Sequence, residues 1–353
     1  MKYRREILRT VEGYVPGEQP RIPDIIKLNT NENPYPPSPK VIQALSSLPG
    51  DACRKYPDPL SLDFRKACAE RYGYEGPEWV IAGNGMDELL ALAVRAFADP
   101  GDAILSTYPT YTLYETLALL HGARPLLVDL DDDFQLTEAF FTTPARLCIL
   151  ARPNAPSGVC PPRDAVERLC RSFDGIVVID EAYVDFADDD CMDFPKRFAN
   201  SVVMRTFSKS FSLAGMRIGT AVAQPAVIAE FMKVKDSYNL SAASQAAALA
   251  AINDYDHMRA NVRKVRATRE RLIAALAAMG FRVPPSQSNF VLAQWNGKPF
   301  AQEIFEALRA RAIVVRYFNA RRLANAIRIT VGTDAETDAL LTVLREILNQ
   351  PER

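Results

Sequence analysis

Between about residue 40 and residue 235, short apolar runs alternate with amphipathic helical stretches, and this alternation limits the fold more than any other feature. Strands are predicted at Ala103–Ser106, Pro125–Val128, Leu147–Ala151, Ile176–Asp180, Val202–Met204 and Ile218–Ala223. Helices are predicted at Leu62–Tyr72, Met86–Ala98, Tyr111–His121 and Asp164–Phe173. Apolar runs of this length between helices describe a mainly parallel sheet covered on both faces, an α/β fold. The first 39 residues, rich in proline and asparagine, read as an extended arm (1–39) ahead of this large domain (40–240). From 241 to 353 an alanine-rich connecting helix, broken near Asn253-Asp254, leads into a smaller α+β domain. That domain has strands at Asn289–Gln294, Ile313–Arg316 and Ile327–Val331, and helices at Pro299–Arg311 and Asp334–Asn349.

Composition excludes several functions. A net charge of −1 gives no electrostatic case for binding nucleic acid or a membrane surface. No apolar run approaches the ~20 residues that span a bilayer. The basic first ten residues are followed by no apolar stretch, so no signal peptide is expected. Six scattered cysteines without a C-x-x-C pair read as reduced thiols, and a cytoplasmic location is expected. With only His121 and His257, a multi-histidine metal site cannot be built, no metal is expected, and the base is expected to be a residue other than histidine.

The chemistry concentrates in Thr206-Phe207-Ser208-Lys209-Ser210-Phe211, which continues to Arg217 and Gly219. Lysine forms Schiff bases with carbonyls, as pyridoxal phosphate (PLP) requires, and the hydroxyls and arginine suit a phosphate. Asp180 closes the apolar run Ile176–Ile179, so its carboxylate should emerge at the C-terminal sheet edge, where open α/β folds bind ligands. Locally it serves equally well as a helix cap. A carboxylate there would face the pyridine nitrogen, and Tyr183 could reach the phenolate oxygen of the ring. In Arg152-Pro153-Asn154-Ala155-Pro156-Ser157-Gly158 the prolines and glycine make a turn, while Asn154 could donate to the same oxygen. Gly83-Asn84-Gly85-Met86-Asp87 opens a helix whose free N–H groups suit a phosphate or only a cap. Tyr111 is either core or a ring-stacking aromatic. Arg316 and Arg328, set in apolar strands, need an anionic partner, either structural or substrate.

Together these motifs resemble the fold-type I PLP aminotransferases, and within them the histidinol-phosphate aminotransferase family. The resemblance runs from Tyr14 to the end, through Lys27-Leu28-Asn29-Thr30-Asn31-Glu32-Asn33-Pro34, Tyr56-Pro57-Asp58-Pro59, Asp180-Glu181-Ala182-Tyr183 and Arg328-Ile329-Thr330. It implies that Lys209 carries PLP and, once displaced by the amine substrate, serves as general base. It implies Asp180 at the pyridine nitrogen, Tyr183 and Asn154 at the phenolate oxygen, and Tyr111 stacked on the ring. The cofactor phosphate would sit near Gly85, Met86 and Asp87 with Thr206, Ser208 and Arg217. Tyr56 would reach it from the neighbouring subunit of a homodimer. Arg328, Arg316 and Tyr14 would hold the anionic end of the substrate. The implied reaction moves the amino group of histidinol phosphate to 2-oxoglutarate, in histidine biosynthesis. Relatives with similar motifs act on aromatic amino acids or decarboxylate threonine phosphate, and a non-catalytic PLP-binding protein is the remaining alternative. Between the two arginines, Tyr317-Phe318-Asn319-Ala320-Arg321-Arg322 lacks the glycine common in the family. Arg321 and Arg322 are either solvated or part of the anion pocket.

Overall fold

The structure, a computed structural model, describes residues 3–9, 11, 13, 17–20 and 23–349. Its centre is a seven-stranded sheet of β1 (Val80–Asn84), β2 (Ala103–Tyr108), β3 (Arg124–Asp129), β4 (Leu147–Ala151), β5 (Ile176–Asp180), β6 (Ser201–Thr206) and β7 (Ile218–Val222), in spatial order β1-β7-β6-β5-β4-β2-β3. All neighbours are parallel except β7, which runs antiparallel to both β1 and β6. The central strands are apolar throughout because both faces are covered. In β4, Leu147, Ile149 and Ala151 enter one core while Cys148 and Leu150 enter the other. Four of the six expected strands end within two residues of their predicted limits, and β4 and β5 match them. Strand β1 is not foreseen, because only Val80-Ile81-Ala82 is apolar before Gly83 and the segment reads as the approach to a helix.

The connecting segment forms two helices, Ala242–Ile252 and Tyr255–Ala278, parted at Asn253-Asp254. The Asp254 carboxylate accepts from the Ser38 hydroxyl and from Lys40, so the break is tied to the start of helix Pro39–Ser46. Beyond it, β8 (Phe290–Gln294), β9 (Arg316–Tyr317) and β10 (Ala326–Thr330) form an antiparallel sheet of order β9-β10-β8. The strand expected at Ile313–Arg316 divides. Ile313–Val314 pairs in parallel with Ile26–Lys27, whereas Arg316–Tyr317 turns to pair with β10. Among the described residues no helix is long and apolar enough to cross a membrane.

Candidate active site

Asp180 ends β5, Thr206 ends β6, and Gly85 joins β1 to the helix Met86–Phe97, so all three arrive at one edge of the large sheet. There a cavity of about 770 Å³ opens, lined by Asp180, Tyr183, Lys209 and Arg217 on the large-sheet side and by Arg316 and Arg328 from the small sheet. Met86, Asp87, Tyr111, Thr206 and Ser208 also line it. A smaller cleft of about 480 Å³, lined by Arg95, Arg146 and Asp174 among others, brings together no comparable set.

Lys209 Nζ donates to the Thr30 carbonyl at 3.2 Å and lies 5.8 Å from the centre of the Tyr183 ring. Loss of water contact, followed by the charges of Arg328 and Arg217, brings its pKa down to about 8 against the opposing pull of Glu32 and Asp87. Asp180 is 4% exposed. Desolvation pushes its pKa up to about 6, although the Tyr114 hydroxyl donating to Oδ2 and the Ala182 N–H donating to Oδ1 at 3.0 Å act the other way. The Tyr183 hydroxyl accepts from Asn31 Nδ2 at 3.0 Å, and its ring stands edge-on to Phe290 at 4.9 Å. Burial raises the Tyr183 pKa.

The predicted phosphate cradle is assembled from backbone upward. Gly85 has φ +77°, its N–H donates to the Arg217 carbonyl at 2.9 Å, and a Cβ there would lie 2.3 Å from Arg217 Nη2. Only glycine leaves that space at that backbone angle. Arg217 pairs with Asp87 at 3.2 Å and donates to Ser208 Oγ at 3.4 Å, while Thr206 Oγ1 accepts the Ser208 N–H at 3.1 Å. Asn154 is buried behind the cavity wall; its amide donates to the Pro109 carbonyl at 3.2 Å and to Ser157 Oγ at 2.9 Å. Across the cavity, Arg316 and Arg328 are register partners on β9 and β10 and project from the same face. Arg328 donates to the Asn29 carbonyl at 2.7 Å, and its guanidinium lies over the Phe290 and Phe318 rings. Tyr56 is elsewhere on the surface, 81% exposed and stacked on Tyr238 at 4.4 Å. Tyr14 lies outside the described residues.

The family described as aminotransferase class I and II matches residues 23–344. The chain belongs to that family. A histidinol-phosphate aminotransferase of Synechocystis sp. is 45% identical over 346 residues, covering 97% of each chain. One of Geotalea uraniireducens is 44% identical, covering 98% of this chain and 99% of its own. The crystal structure of histidinol-phosphate aminotransferase from Sinorhizobium meliloti in complex with pyridoxal-5'-phosphate matches with a TM-score of 0.89 at 27% identity, over 99% of this chain and 98% of that one. This aminotransferase is a PLP-dependent enzyme of fold type I.

Several neighbours of the site escape sequence reasoning. Tyr114 falls three residues after Tyr111, in the first turn of the helix Leu113–His121 that Tyr111 precedes, and it supplies the hydroxyl that reaches Asp180. Asn31 links Tyr183 to the Thr330 side chain, its Oδ1 accepting from Thr330 Oγ1 at 3.1 Å; nothing in a proline-rich arm signals that partner. Arg321 pairs with Asp129 at 2.6 and 2.7 Å, and Arg322 donates to the carbonyls of Leu130 and Asp131. Both arginines thus brace the loop before β10 against the end of β3.

Proposed function

We propose that this aminotransferase moves the amino group of histidinol phosphate to 2-oxoglutarate, with Lys209 as the residue that carries PLP and then acts as base. The observation that carries the reading is the opposed placement, across one cavity, of Lys209 with Asp180 and of the paired arginines Arg316 and Arg328. A phosphate-bearing amine spans such a site with its amine at the lysine and its dianion at the arginines.

The residues fit PLP. The glycine at 85 leaves a gap that a Cβ would close, beside Arg217, Ser208 and Thr206, and a buried carboxylate faces the cavity at the other end. PLP, when bound, supplies the electron sink that lets a proton leave the substrate α-carbon. Lys209 would take that proton and return it on the other side of the transferred nitrogen, and the burial and the Arg328 charge that lower its pKa favour the neutral amine a base requires. Asp180 holds positive charge on the pyridine nitrogen. Tyr183 and Asn154 donate to the phenolate oxygen, for which Asn154 must release either Pro109 or Ser157. Met86 and Asp87 offer helix N-terminal N–H groups to the phosphate, and Tyr111 covers one ring face. Arg316, Arg328 and Tyr14 bind the substrate anion, and the two arginines also take a carboxylate of 2-oxoglutarate. Tyr56, so exposed in one subunit, reaches the cofactor phosphate of the other in a cytoplasmic homodimer. The chain divides into an arm (1–39), a cofactor domain (40–240) and a connecting helix with small domain (241–353).

Steady-state transfer to 2-oxoglutarate tests the reading. Histidinol phosphate is expected to exceed phenylalanine in kcat/KM by roughly 100-fold, because a phosphate dianion offers the two arginines more charge and more acceptor oxygens than a single carboxylate. Phenylalanine used as well or better would make this an aromatic aminotransferase instead.

A further inference from the structure

Tyr114 is 1% exposed, on the helix Leu113–His121, and its hydroxyl donates to Asp180 Oδ2. A buried phenol needs an acceptor, and this one has taken the carboxylate that the mechanism uses. The other oxygen, Oδ1, accepts the Ala182 N–H at 3.0 Å. Each carboxylate oxygen therefore has one protein donor, and the carboxylate still borders the cavity. The ring of Tyr114 makes a second contact: it meets Tyr111 edge to face, centroids 5.6 Å apart and planes at 87°. The Tyr114 N–H donates to the Tyr111 carbonyl at 3.1 Å, so a single turn of chain carries both rings.

We propose that Tyr114 is a positioning residue that fixes two faces of the cofactor site at once, orienting Asp180 through its hydroxyl and Tyr111 through its ring. The proposal rests on the reading of Asp180 and Tyr111 given above. Its chemical consequence concerns one proton. A phenol donating to a carboxylate makes that carboxylate a weaker base. With PLP bound, Asp180 would face the pyridine nitrogen, and the weaker the carboxylate as a base, the more firmly a proton would stay on nitrogen. Asp87 across the cavity acts the opposite way, raising the proton affinity of Asp180, and the Tyr183 phenol lies within electrostatic reach. Tyr114 and the Ala182 N–H are the groups that hold Asp180 ionised against burial.

The test uses Tyr114→Phe, which keeps the ring and removes the hydroxyl, in full-length enzyme loaded with PLP labelled with 15N in its ring. The ring nitrogen signal is expected to move toward that of unprotonated pyridine, with kcat lower by roughly tenfold and KM for the amino donor within about twofold. An unchanged nitrogen signal together with unchanged kcat would overturn the proposal. A second measurement needs no cofactor: the Asp180 carboxyl carbon is titrated by 13C NMR in the cofactor-free chain, assigned with Asp180→Asn. Its midpoint is expected to rise by about one to two pH units in Tyr114→Phe, the worth of one hydrogen bond to a carboxylate. An unmoved midpoint overturns the link between the two residues whatever the reaction is. A moved midpoint in a protein that takes up no PLP would instead sink the proposed function and leave the link standing. For the ring contact, Tyr114→Leu is expected to weaken PLP retention by a further roughly 2- to 10-fold relative to Tyr114→Phe. Equal retention in the two variants would overturn the Tyr111 half of the proposal.

Discussion

An amine held among arginines is a weaker base than the same amine in water, and Lys209 shows the consequence at the scale of one residue. Burial is the larger cause and Arg328 the next, so Arg328→Gln is expected to raise the Lys209 pKa from about 8 in the cofactor-free enzyme. The pH dependence of its reaction with an amine-selective reagent measures the shift, and an unmoved midpoint would remove Arg328 as a cause. The same residue ties stability to pH. The unfolded chain keeps this proton up to about 10.5 and the folded chain only to about 8, so Lys209 makes the cofactor-free protein more stable as pH climbs through that window. Asp180 works in the other sense at lower pH. It keeps its proton to about 6 when folded but only to 3.8 when unfolded, so stability falls as pH rises between those values. Urea unfolding of the parent and of Lys209→Met should differ by the first slope, stability rising more steeply with pH in the parent. Lys209→Ala is expected to abolish transamination, whereas Asp180→Asn is expected to lower kcat by roughly 100-fold or more while leaving the fold intact.

At the scale of elements, the segment around Asn29–Asn33 joins the two sheets. Thr30 accepts from Lys209, Asn31 reaches Tyr183 and Thr330, and Asn33 donates to the carbonyls of Lys209 and Ser210 at 3.1 Å each. Asn31→Ala removes the donor to the Tyr183 hydroxyl and the acceptor of the Thr330 hydroxyl, leaving only its backbone N–H on Thr330, so a loss of about 1–3 kcal/mol is expected, readable in denaturant unfolding. Gly219 makes a comparable demand on the large sheet. A Cβ there would lie 2.8 Å from the Met86 backbone nitrogen, so Gly219→Ala must push the helix Met86–Phe97 away from the cofactor cradle. Weaker PLP retention with the secondary structure unchanged is the expected result, and parental PLP affinity would contradict it. These elements were unequally legible. Strands β4 and β5 announce themselves as unbroken apolar runs because water touches neither face. β1 and the divided Ile313–Tyr317 region do not, since their pairing is set by distant strands rather than by local pattern. The Lys209 and Asp180 motifs could be read because chemistry fixes their residue types. Tyr114 and Asn31 could not, because their roles depend on which side chain the fold sets opposite them.

Across the whole molecule, the cavity is completed only where the sheets meet: the lysine and aspartate come from one, the paired arginines from the other. The proposed homodimer adds Tyr56 from a second copy. Mixing Tyr56→Phe subunits with Lys209→Ala subunits should give hybrid dimers whose activity departs from that of the separate mutants; hybrids that recover nothing beyond the separate mutants would tell against a shared site. The most direct measurement is a single half-reaction without any amino acceptor. Histidinol phosphate, and separately phenylalanine, is added to the PLP-loaded enzyme while the cofactor absorbance is followed. Rapid, stoichiometric conversion to the amine form by histidinol phosphate, and slow conversion by phenylalanine, is the predicted result. Conversion by phenylalanine with no response to histidinol phosphate would contradict the account.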